Sequence, residues 1–179
     1  MRAFIAIDIG ARKEIVEILE ELKKIKAKMK LVEPENIHLT IKFLGEIKED
    51  MIEKIAKIIE NSIKEINPFE AELHGLGVFP SMDYMRVLWI GFYDNGETKK
   101  IAFEINEELK KYGFKKDRFS PHVTIARIKS KEGKEELKKF IEKNANRKFG
   151  KISCNSICLK KSILRSEGPI YETISEIKI

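Results

Sequence analysis

The tetrapeptide His38-Leu39-Thr40-Ile41 recurs as His122-Val123-Thr124-Ile125, and the two copies use two of the three histidines in the chain. Each copy lies in an alternating run, Ile37-His38-Leu39-Thr40-Ile41-Lys42-Phe43 and Pro121-His122-Val123-Thr124-Ile125-Ala126, the period-2 pattern of a strand with one buried face. Successive side chains leave a strand on opposite faces, so each histidine shares a face with the threonine two residues on. Leu39, Ile41 and Phe43, or Val123 and Ile125, take the opposite face and pack. Any fold for this chain must therefore hold two half-buried strands that each display a His-Thr pair.

Imidazole holds or releases a proton near neutrality, so two such groups facing one another suit acid-base catalysis. A threonine hydroxyl can hold the imidazole or an anionic oxygen. A single His-x-Thr is ordinarily structural, but two copies in matching surroundings favour a working pair. The third histidine, in Glu72-Leu73-His74-Gly75-Leu76-Gly77, has no partner motif and is read as structural. Gly75 and Gly77 lack the strand-to-helix context of a phosphate loop.

Three stretches together resemble the two-histidine phosphoesterases, and within them the RNA 2′,3′-cyclic phosphodiesterases also called 2′-5′ RNA ligases. They are Met1-Arg2-Ala3-Phe4-Ile5-Ala6-Ile7-Asp8, the run from His38 through Phe43-Leu44-Gly45-Glu46, and Ser120-Pro121-His122-Val123-Thr124-Ile125-Ala126-Arg127. The resemblance spans most of the chain. It implies an α+β, bilobal, pseudo-twofold fold with a central groove holding both motifs. It also implies metal-free hydrolysis of RNA 2′,3′-cyclic phosphate ends to 2′-phosphates, with joining or opening of 2′-5′ linkages in some members. On that resemblance His122 is the general base and His38 the general acid, roles that the residues alone do not distinguish.

Thr40 and Thr124 are the first candidates to bind the phosphate oxygens, with Arg127 the cation beside the second motif. Strict alternation puts Arg127 on the Val123 and Ile125 face, so it reaches the groove only if the strand bulges, twists or ends after Ala126. Lys42 has the parity of Thr40 and is a candidate for contact with phosphate or backbone, or for a solvent-facing position. Phe79, Tyr84, Phe119 and Tyr171 offer faces for base stacking, although packing is the ordinary explanation for each. Trp89, within Val87-Leu88-Trp89-Ile90, reads as core.

Composition fits this without proving it. At 179 residues and 42% hydrophobic, the chain is read as one two-lobed domain with a substantial core. The opening stretch is too short for a signal peptide and no run reaches a membrane span, so a cytoplasmic protein, monomeric by default and without membrane contact, is expected. Abundant Lys and Glu with no glutamine lean toward a hyperthermophilic source. The formal charge of +6 favours an anionic partner, RNA here, but only weakly, because lysines such as Lys23, Lys24, Lys26, Lys28, Lys138 and Lys139 fall on amphipathic helical patterns. Cys154 and Cys158, if on one strand, stand roughly 13 Å apart and are read as buried free thiols. No Cys/His spacing suggests zinc, and neither a metal nor a cofactor is expected.

Periodicity gives strands over 2–9, 37–44, 69–78, 85–93, the second motif, 149–164 and 170–179, and helices over 12–29, 49–66, 98–112 and 134–144. That order suggests antiparallel or mixed sheets with helices on their outer faces. Two alternatives remain open at this level: a phosphoesterase for small cyclic nucleotides or 2′-5′ oligonucleotides, and a module that binds RNA ends without turning them over.

Overall fold

The computed structural model describes all 179 residues as nine strands and four α-helices. Strand β1 (Arg2–Asp8) leads through helix α1 (Lys13–Lys23) and a short β2 (Met29–Leu31) to the first motif strand, β3 (His38–Glu46), and helix α2 (Ile52–Ser62) follows. Strands β4 (Phe69–Pro80) and β5 (Met85–Tyr93) precede helix α3 (Glu97–Lys110) and the second motif strand, β6 (His122–Ile128). Helix α4 (Lys134–Lys143) and strands β7 (Lys148–Cys154), β8 (Ser156–Ile163) and β9 (Ile170–Lys178) complete the chain.

The strands form two sheets, β3-β1-β8-β9 and β2-β6-β5-β4-β7, and every pairing is antiparallel. The α+β, two-sheet architecture expected from the sequence is thus the one observed. In each sheet the motif strand pairs with the strand that precedes its helix, β1 or β5, and a further antiparallel pair follows. Helices α2 and α3 lie against the four-stranded sheet, α1 and α4 against the five-stranded one, and β3 meets β6 where the sheets approach. Ile15, Ile18, Leu22, Ile55, Ile59, Ile101 and Ile105 from the helices join Leu39, Ile41, Val123 and Ile125 in one continuous apolar core.

Element ends follow local chemistry. Helix α3 starts where the Asp94 carboxylate accepts the backbone N–H of Thr98 at 2.9 Å, satisfying a donor that the helix cannot. Helix α1 ends at Lys23, short of the Met29 boundary expected from the sequence. Ile15, Ile18, Leu19 and Leu22 set a helical rhythm that Ile25 continues, but from there Ile25, Ala27, Met29 and Leu31 are half-buried in alternation with exposed lysines. That is strand phase, and it ends in the β2 edge strand. The stretch over 149–164, read as one strand, breaks at Asn155, where the chain passes from one sheet to the other. The premise of a single strand for Cys154 and Cys158 fails, but both are free and buried, and burial pushes their thiols up to about 12 and about 11. No helix is long and apolar enough to cross a membrane.

Gly77, opposite Trp89 in the β4–β5 ladder, is fixed by close approach, since a Cβ there would stand 2.2 Å from the indole. Trp89 is half-buried on the sheet face that carries Thr124, packed beside Phe79 and His122, and is not the core residue expected. Gly77→Ala should displace the only tryptophan and destabilise by about 1–3 kcal/mol. A red-shifted emission with a lower urea midpoint checks this; unchanged emission and midpoint would refute it.

Candidate active site

Both motif strands break alternation at the same place. Ile41 is skipped between the pairs Thr40–Ala6 and Lys42–Ile5, and Ile125 between Thr124–Trp89 and Ala126–Leu88. A bulge puts two consecutive residues on one face and moves everything after it to the other. Ile41 and Lys42 are accordingly both buried with Phe43 exposed, and Ile125 and Ala126 are both buried with Arg127 exposed. Arg127 therefore reaches the groove through the bulge that strict alternation required. Phe43, read from the sequence as a packing residue, occupies the matching position of the first motif, five residues beyond its histidine.

Lys42 goes the other way, a correction to its expected groove or solvent position. It is 3% exposed. Its ammonium donates to Asn106 Oδ1 at 2.8 Å and to the Lys115 carbonyl, and lies 3.3 Å from Asp117. Asn106, also buried, accepts the backbone N–H of Asp117. The first motif strand thus pins the irregular segment that leads into the second. Ala126, its counterpart after the second bulge, needs no such partner.

The two histidines are held alike. His38 Nδ1 lies 2.6 Å from the carbonyl of Asn36, and His122 Nδ1 lies 2.6 Å from that of Ser120. A carbonyl only accepts, so each ring donates from Nδ1 and the neutral imidazole keeps its lone pair on Nε2. At His38 that nitrogen takes the Thr40 hydroxyl at 2.9 Å. Phe4 and Tyr171 flank His38 with ring centroids at 5.0 and 5.4 Å, and Phe79 stands edge-on to His122 at 4.9 Å. Burial drives the His38 pKa below its ordinary value, with the nearby Lys160 and Arg127 charges acting the same way and the Asn36 hydrogen bond and Asp8 opposing. Asp8 is itself bound through both oxygens to Lys160, at 2.8 and 2.9 Å.

An open groove enclosing about 1060 Å³ brings together His38, Thr40, His122, Thr124 and Arg127, all five residues singled out in the sequence. Phe43, Phe79 and Tyr171 also line it; Tyr84 and Phe119 do not, and neither does His74, which packs beside Tyr93. Arg127 has no carboxylate partner, leaving a cation available in the groove. The β8–β9 loop forms one wall, tethered by Lys30 to the Glu167 carbonyl at 3.0 Å and by the Asn36 amide to that of Pro169 at 3.1 Å. Asn36 therefore holds the wall with its side chain and His38 with its carbonyl. The Asn36 and Ser120 carbonyls were not singled out in the sequence, and backbone groups leave no residue-type signal. The bulges did leave one: the apolar positions slip phase to Leu44 and Ile128. No three His, Cys, Asp or Glu side chains cluster as a metal site.

Two antiparallel sheets meeting at a groove, with paired His-x-Thr strands on its floor, define the two-histidine phosphoesterase class. Residues 4–179 match the AKAP7 2′5′ RNA ligase-like domain, and the chain belongs to that family. A relative from Methanocaldococcus jannaschii, named RNA 2′,3′-cyclic phosphodiesterase, is 44% identical over 98% of this chain and 99% of its own. One of the same name from Archaeoglobus fulgidus is 38% identical over 97% and 98%. The crystal structure of TT0787 from Thermus thermophilus superposes with a TM-score of 0.81 at 24% identity, covering 99% of this chain and 97% of that one. Escherichia coli LigT complexed with 3′-AMP gives 0.73 at 21% over 99% and 97%. These two likenesses concern the fold.

Two outcomes follow from the geometry. In the free protein His38 should titrate below an ordinary exposed histidine because it is buried, read from its imidazole NMR shifts, and a pKa at or above the ordinary one would contradict the burial argument. Lys42→Met should leave Asn106 and the Lys115 carbonyl facing an apolar chain and lower stability by about 1–3 kcal/mol; an unchanged urea midpoint would show that the cluster contributes nothing.

Proposed function

We propose that the groove hydrolyses RNA 2′,3′-cyclic phosphate ends to 2′-phosphates through the His38 and His122 pair. The observation that carries this reading is the matched anchoring of both rings by Nδ1 in one groove with an unpaired arginine. The names of the relatives and their end-to-end similarity support the substrate class.

Opening the ring requires a water oxygen to bond to phosphorus as the bond to the 3′ oxygen breaks opposite. His122 accepts the water proton on Nε2, the position its Ser120 hydrogen bond leaves basic. Protonated His38 delivers a proton from Nε2 to the departing 3′ oxygen. The product carries a 2′-phosphate and a free 3′-hydroxyl. A ribose 5′-hydroxyl attacking in place of water gives a 2′-5′ linkage by the same two transfers, so ligation and its reverse fall within the reading. Burial opposes the cationic form of His38; the anionic phosphate entering beside it favours that form, tying the acid's protonation to substrate. When His38 is protonated, Nε2 no longer accepts from Thr40, freeing that hydroxyl to donate to a non-bridging oxygen while the Nε2–H serves the 3′ oxygen. Thr124 and Arg127 supply further donors as charge builds on phosphate. The residues in the groove assign every proton without a metal.

His38→Ala and His122→Ala should each lower kcat by about 10²- to 10⁴-fold, and the double substitution by less than the product of the two losses. The check is an RNA ending in a 2′,3′-cyclic phosphate, incubated with chelator present and resolved for 2′- against 3′-phosphate. A 3′-phosphate product, or turnover indifferent to both substitutions, sinks the mechanism. Binding that survives both substitutions while the parent itself forms no product would assign the groove to an RNA-end binding module instead.

A further inference from the structure

Six cations stand together on the edge ribbon that leaves the groove. Lys26, Lys28 and Lys30 alternate along the approach to β2 and its length, and Arg127, Lys129 and Lys131 alternate along β6 and beyond it. All six are exposed. Lys30 pairs with Arg127 in register, and the ladder continues with the Lys129 N–H on the Lys28 carbonyl at 2.8 Å. The sequence places Lys26 and Lys28 on a helix, but helix α1 stops before them, so they belong to this ribbon and not to a solvated helical face.

None of the six has a carboxylate partner, although other lysines and arginines of the chain do. The segments Lys26–Lys30 and Arg127–Lys131 contain no acidic residue. Of 35 Lys and Arg against 29 Asp and Glu, removing these six leaves 29 of each, so the ribbon equals the whole net charge. Past it, a surface hollow of about 660 Å³ is lined by Lys129, Lys131, Lys134, Arg86 and Tyr84, with Asp83 and Glu132 the acidic members. Tyr84 is 56% exposed, and the Arg86 guanidinium lies 5.6 Å from its ring centre.

We propose that this ribbon and hollow bind the RNA strand upstream of the end held in the groove. The inference rests on the groove being the site for the RNA end. Alternate residues of a strand are about 7 Å apart, so the rows present regularly spaced cations to a single-stranded phosphate backbone, and Tyr84 offers a face on which a base stacks whatever its identity. The ribbon is continuous with the groove through Lys30 and Arg127, which line both. The occupant is therefore the same molecule whose end reacts, and the ribbon favours an oligonucleotide over a mononucleotide as substrate.

The test compares a mononucleoside 2′,3′-cyclic phosphate with an RNA of about ten nucleotides ending in the same group. The variants are Lys28→Ala/Lys129→Ala/Lys131→Ala together and Tyr84→Ala alone; Lys30 and Arg127 stay intact because they line the groove. The triple variant should raise KM for the RNA about 10-fold and reduce the slope of log KM against log salt by up to about 2, with mononucleotide turnover unchanged. Tyr84→Ala should raise the RNA KM about 10-fold with little change in the salt slope. Equal KM for the RNA in parent and triple variant overturns the proposal, as does an equal rise for both substrates. If the parent turns over neither substrate, the reading of the groove fails, and titration with a labelled RNA ending in a 3′-hydroxyl decides separately. Binding weakened in the triple variant supports the ribbon. Undiminished RNA binding, or a loss confined to phosphatidylserine vesicles, overturns it.

Discussion

The groove depends on two strands that each keep one face in the core and one face polar. Leu39, Ile41, Val123 and Ile125 are buried to 2% exposure or less, and that burial fixes register, because a slip of one residue would send His38 or His122 into the core and bring leucine or valine out. Pairing with β1 and β5 locks the arrangement in each sheet. The histidines are thus placed by hydrophobic packing on the opposite side of the strand from themselves.

The bulges give that scaffold its chemistry. Without them, Phe43 and Arg127 would point into the helices and Lys42 into the groove. With them, the groove gains an aromatic face from one motif and a guanidinium from the other, so the two halves share a backbone device but not its content. The buried Lys42 is the first motif's half of this difference. Its ammonium has exchanged water for Asn106, the Lys115 carbonyl and Asp117, a trade that holds only when a buried charge finds partners. The result is a bond between the first motif and the segment presenting the second.

Electrostatics is unevenly distributed over the surface. Most ion pairs join exposed side chains three residues apart on helices or close in sequence, where each contributes little. At the β2 edge six exposed cations stand together with no acidic residue in their two segments. An edge strand rich in lysine also discourages pairing with another chain's edge, so the β2 ribbon reconciles a solubility device with an anion-facing surface.

The sequence by itself determined the strand nature of both motifs, their shared His-Thr face, most helix positions and the α+β order, because alternation and helical spacing are written in residue types over short windows. It also held, unread, the apolar slip to Leu44 and Ile128 that marks the bulges. Only the tertiary structure decided that Arg127 enters the groove and Lys42 leaves it, that Phe149 to Leu164 divides between two sheets, that Trp89 packs beside Phe79 and His122, and that His38 loses basicity while Lys26 and Lys28 join a strand ribbon. Those outcomes depend on which distant segment lies opposite, such as Asn106 from α3 or the edge of β6. Hydrogen bonds and burial between residues far apart in the chain leave no periodic trace in the segment that receives them.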